Sequence, residues 1–80
     1  MNDDQYGNYL HDLGVLIKEK ALDAKVSKER SIGQESAGYD LGYLMAFYEV
    51  VSLMKQQADA FGIDPDQMGL GDIDPDIDLL

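Results

Sequence analysis

The sequence predicts an all-α fold: an antiparallel two-helix hairpin that pairs with a second copy into a four-helix bundle. Three observations predict it. Residues 39–61 place Leu44, Phe47, Val51, Met54, Ala58 and Phe61 at alternating spacings of three and four, the seam of an amphipathic helix. Residues 6–30 carry a second stripe of Tyr6, Leu10, Leu13, Ile17, Ala21 and Ala24. Between them, Ser31–Ser36 (SIGQES) supplies a glycine and two serines, residues that end one helix and begin the next.

The first helix is expected over about residues 4–30. Asp3 or Asp4 would cap it, and both acids suit a helix N-terminus. Gly7, Gly14 and Ala21 recur every seven residues along the edge of its stripe. A glycine inside a helix costs about 1 kcal/mol relative to alanine, so two on one edge predict the close approach of another backbone. Val15, Leu22 and Val26 form a narrow second strip, either scattered surface aliphatics or a contact with a second chain. Lys18, Lys20, Lys25, Lys28 and Arg30 are five of the six bases. They suit a helix C-terminus or a site for an acidic partner, the chain's own tail included. At about 1.5 Å per residue, a tail leaving the far end of the second helix would have to stretch along roughly 36–40 Å to reach the turn end. A tail of 19 residues spans that only when stretched out, and a partner subunit is the other route to such a pairing.

Gly33 is expected as the left-handed C-cap of the first helix and Ser36 as the N-cap of the second, over about 36–61. The apolar arc of the second helix exceeds the stripe of about 100–140° that one neighbour covers. Leu41, Tyr43, Leu44, Phe47, Tyr48, Val50, Val51, Met54 and Phe61 are the candidate core and dimer-interface residues. Leu41, Leu44, Phe47, Tyr48, Val51 and Met54 each bring roughly 1.5–3 kcal/mol if fully buried, and a lone hairpin cannot bury them all. An isologous homodimer can, with the second helix meeting its mate near the two-fold axis. Gly38, Gly42 and Ala46 form a small-residue row that would permit close helix approach.

Residues 1–61 thus read as the hairpin domain and residues 62–80 as an acidic, mostly irregular tail. The tail holds six aspartates and no base, and Ile63–Asp66 (IDPD) recurs as Ile73–Asp76. Gly62 is expected to end the second helix, and Asp64 before Pro65 to cap one short helical turn. From Gly71 onward extended or disordered chain is expected. The alternation of Asp72, Ile73, Asp74, Asp76, Ile77, Asp78, Leu79 and Leu80 makes this stretch the candidate partner-binding segment.

Composition narrows the function classes. Sixteen acids against six bases give a formal charge of -10, against direct nucleic-acid binding, which needs clustered cations. No cysteine and a single histidine, His11, remove thiolate sites and multi-histidine metal sites within one chain. An EF-hand-like reading of Asp64, Asp66, Gly69 and Asp72 fails at Met68 and Pro75, where oxygen ligands are required. His11 reads as solvated, and Tyr6, Tyr9, Tyr39, Tyr43 and Tyr48 as core or interface residues with their hydroxyls at the rim. No cofactor is expected. The longest apolar run, residues 41–54, carries Glu49 and falls short of the about 20 residues that cross a bilayer. The start of the chain lacks the pattern of a secretory signal. A cytoplasmic, membrane-free protein is expected.

Three functions remain. The first is a small non-enzymatic interaction or regulatory protein, a homodimeric bundle presenting its tail to a protein partner, basic partners included. The second is an acidic inhibitor of a basic protein, such as an immunity protein, an antitoxin or a nucleic-acid mimic. The third is a small-ligand carrier or enzyme with a pocket in the bundle.

Overall fold

The structure, a computed structural model, describes residues 4–80. Helix α1 spans Gln5–Arg30 and helix α2 spans Ala37–Ala60. They lie antiparallel about a six-residue turn and form the expected hairpin. A 3-10 turn at Pro65–Met68 and a short helix α3 at Pro75–Asp78 follow. All regular elements among the described residues are helical.

The helix ends fall where the sequence places them, though the side chains do less than expected. Asp4 is the N-cap of α1 and Ser36 that of α2, and neither makes a side-chain capping bond; Asp3 lies outside the described residues. Ser31 ends α1. Its N–H donates to the carbonyls of Ser27 and Lys28, and its hydroxyl also donates to Lys28. These bonds satisfy the last carbonyls of α1 and leave Ser31 buried. Gly33 takes a left-handed backbone (φ 82°) in the turn beyond that cap. Gly62 (φ 69°) ends α2, while Ile63 N–H folds back to the Ala58 carbonyl at 2.7 Å, a Schellman-type closure.

The tail corrects the sequence reading. Residues 62–80 fold back along the hairpin as an ordered third layer. Ala21 and Ala24 of α1 and Leu44, Val51 and Ala58 of α2 share one core with Met68, Leu70, Ile73 and Leu79 of the tail. The tail contributes the largest of these side chains apart from Leu44 and Val51, which is why it orders: the hairpin's own groove is floored by alanines. The change of composition at residue 62 is therefore not a break in packing.

Both IDPD segments open a helical turn with the same aspartate cap, one 3-10 and one α, where one turn was expected. Asp64 accepts from Asp66 N–H at 3.0 Å and Asp74 accepts from Asp76 N–H at 3.0 Å. In each, proline occupies the first turn behind an aspartate cap, where its missing N–H costs nothing. The first turn ends at Gly69 in the left-handed region (φ 73°).

Two glycines let this layer seat itself. A Cβ on Gly14 would run into the Met68 carbonyl, and one on Gly69 would lie 2.8 Å from the His11 carbonyl and 2.7 Å from a Val15 methyl. The expected close backbone approach at Gly14 is real, but the backbone is the tail's own. Gly7, Gly38 and Gly42 have open space around them.

The molecule measures 51 × 22 × 16 Å, with a radius of gyration of 14.3 Å. A compact domain of this length has about 12 Å. Its accessible surface is 5525 Å², against about 4,800 Å² for a compact monomer of this mass.

Candidate interaction surface

The tail flank is built from cations reaching across to acids and carbonyls. Lys18 Nζ of α1 pairs with Asp72 Oδ1 at 2.9 Å. Lys25 Nζ donates to the Leu80 carbonyl at 2.7 Å and lies 3.7 Å from Glu29. Lys55 Nζ of α2 donates to the Ile73 carbonyl. Tyr48 Oη donates to Asp76 Oδ1 at 2.5 Å. Three of the six bases are thus turned onto the tail of their own chain. Neither a stretched tail nor a partner subunit is required: Lys18 and Lys25 lie partway along α1, so the tail meets them as it climbs the groove.

The electrostatics follow from these contacts. The Lys18 ammonium beside Asp72 holds that carboxyl below its ordinary value of 3.8. The hydrogen bond to Asp76, with some desolvation and the carboxylate's charge, raises the Tyr48 phenol above 10.0.

The candidate tail residues divide. Ile73 and Leu79 are buried, so these two aliphatics are not on offer to a partner. Asp72 and Asp76 hold α1 and α2, Asp74 caps α3, and Asp78 accepts from Asp74 N–H at 2.8 Å. Ile77 and Leu80 remain exposed.

The candidate residues of α2 divide as well. Leu44 and Val51 are in the core, and Phe47, Tyr48 and Met54 are half-buried against it. Leu41, Tyr43 and Val50 are exposed. Phe61, expected on the seam toward α1, is 77% exposed. It is the C-cap of α2, and the reversal at Gly62 brings Met68 into the core in its place.

On the flank away from the tail the hairpin has no cover. Tyr39, Tyr43, Val50 and Leu53 are 73%, 44%, 43% and 58% exposed and fall on one face of α2 at helical spacing. Tyr39 and Tyr43 stack with centroids 6.1 Å apart, and Tyr43 meets Phe47 edge-on at 5.2 Å. On α1, exposed Tyr9 and Leu16 and half-buried Leu13 lie on the side opposite Gly14, Lys18 and Lys25. Near the end of the face an open apolar depression of about 310 Å³ is lined by Leu10, Leu53, Met54, Phe61 and Met68. Leu53 and the clamp residue Lys55 escaped the sequence reading. Leu53 falls outside the strict seam, and a lone lysine carries no signal of what it will reach.

Among the described residues no group of three or more His, Asp or Glu side chains converges as a metal site. No helix is long and apolar enough to cross a membrane. No protein-family model, curated protein or solved structure matches the chain.

Proposed function

We propose that this chain is a small, non-enzymatic interaction protein that works as a homodimer, a four-helix bundle closed through the uncovered hairpin face. The observation that carries this reading is the continuous exposed stripe of Tyr39, Tyr43, Val50 and Leu53 on the side away from the tail. Monomers rarely expose apolar patches beyond a few hundred Å². The aromatic ladder is well suited to such a contact, with its rings inside and its hydroxyls at the rim. The tail side, with Asp64, Asp66 and Asp74 exposed, is then free for a further protein partner of basic charge.

Sedimentation equilibrium at micromolar concentration tests this. The expected species is twice the 8.9 kDa chain mass, and Val50→Glu returns the chain to a folded monomer. A wild-type species of one chain mass overturns the reading.

A second reading, an acidic inhibitor of a basic protein, is favoured by a separate observation. Lys18, Lys25 and Lys55 face the tail, so the outward surface is more acidic than composition alone implies. This reading expects binding to a basic protein that weakens steeply with salt; affinity that is flat in salt counts against it.

A further inference from the structure

We infer that the groove between α2 and α3 docks an amphipathic helix of a basic partner protein. Its apolar face sits on Ala46, Val50 and Leu53, and its arginines or lysines run along the flank toward Glu49 and Asp76. This rests on the second reading above, binding to a basic protein, and adds the place and the shape of what binds. It needs no second copy of the chain.

The groove is open and holds about 710 Å³. Two neighbouring strips of α2 make it. Ala46, Val50 and Leu53 follow one another at spacings of four and three and are exposed. Glu49, Ser52 and Gln56 follow at three and four. Such spacings keep each set on one side of a helix. Asp76 of α3, held by Tyr48, closes the far side. From Ala46 to Gln56 the groove runs on the order of 15 Å, about three turns of a helix laid along it. An apolar strip beside a polar one is the complement of an amphipathic helix, whose anchors recur at three and four.

Charge sets the sign of the occupant. The charged residues of α2 are Asp40, Glu49, Lys55 and Asp59, and those of α3 are Asp76 and Asp78, behind the Asp74 cap. Lys55 is the one cation among them, and its ammonium is bonded to the Ile73 carbonyl. No residue of α1 lines the groove, and α1 carries Lys20, Lys28 and Arg30, the bases not turned onto the tail. Glu49 is exposed and makes no ion pair among the described residues. Tyr48 engages one oxygen of the Asp76 carboxylate. Cations along one flank of a partner helix meet these two acids while its apolar face is seated. A free amine has no face to cover Ala46, Val50 and Leu53.

The test uses the full chain and a synthetic helical peptide of about 18 residues, with leucines on one face and arginines along one flank. A counterpart carries glutamate in place of arginine. The arginine peptide should shift the amide resonances of residues 46–56 and 76–77 and bind more weakly as salt rises. Glu49→Gln should weaken it about twofold to fivefold at low salt, and Leu53→Asn by about tenfold. Glu19→Gln, which removes the same charge from α1, should leave the affinity unchanged. If Glu19→Gln weakens binding as much as Glu49→Gln, or the shifts gather at Asp64 and Asp66 instead, the groove is wrong and the basic-partner reading stands. If spermidine alone gives the same shifts at the same affinity, the groove takes an amine and not a helix, and the inference falls. If the arginine peptide binds no better than its glutamate counterpart, the inference and the reading beneath it fall together.

Discussion

Tyr48 Oη and Asp76 Oδ1 lie 2.5 Å apart, joining the middle of α2 to α3 across 28 residues of sequence. The phenol donates and the carboxylate accepts, so the bond exists only while Tyr48 is protonated. Because the folded phenol titrates above its ordinary value of 10.0, its contribution is complete below that pH. It is lost as pH rises through the higher folded value. Spectrophotometric titration should show a phenol that ionises above the ordinary value of 10.0. Tyr48→Phe should delete that late step and speed amide exchange in residues 76–79.

The Lys18–Asp72 pair behaves oppositely. Its carboxyl is lowered from 3.8, so its contribution is present above the ordinary carboxyl range and disappears as pH falls through the folded value. The pair is exposed on the Asp72 side and its effect is modest. Acidification should raise amide exchange around residues 70–73 first. In Asp72→Asn that exchange should already be raised at neutral pH.

Gly14→Ala separates packing from helix propensity. Alanine is the better helix former, yet its Cβ has no room beside the Met68 carbonyl. The substitution should destabilise by about 1–3 kcal/mol in denaturant unfolding, the range for overpacking. Gly7→Ala, in open space on the same helix, should stabilise by up to about 1 kcal/mol.

Leu79 is fully buried although it is the second-last residue of the chain given. Leu79→Ala should cost about 2–5 kcal/mol. Removal of residues 62–80 should leave no cooperatively folded hairpin, because the remaining core is three alanines with Leu44 and Val51. Loss of the sharp thermal transition, read by circular dichroism, checks this.

The hairpin was legible because its signals are local and periodic. The three–four spacing from Leu44 to Ala58 and the break at Ser31–Ser36 each act within one helix length. The tail was not, because acid-rich composition argues for a solvated chain, and only tertiary contact overrides it. What ordered it is a groove that local sequence does not display: alanines at 21, 24 and 58, a glycine at 14, and lysines at 18, 25 and 55. An aspartate before a proline caps a turn through its own carboxylate, and the repeated IDPD does so at both places, a local signal that the acid-rich composition masks. On α2, the arc too wide for α1 was legible as surplus, and its division was not. Tyr48 went to the tail, while Tyr43 and Val50 were left bare.

The two aspartate–proline turns give the tail the character of a ruler. Each is a rigid mark, and the spacing between them sets where Ile73 drops into the core relative to Met68 and Leu70. A residue gained or lost between Gln67 and Asp72 would shift every later mark by one position. Asp72 would leave Lys18, Ile73 would leave Lys55, and Asp76 would leave Tyr48 at the same stroke. Loops usually absorb such changes. In this chain the stretch that looks most like a loop is graduated, and its length carries as much information as its letters.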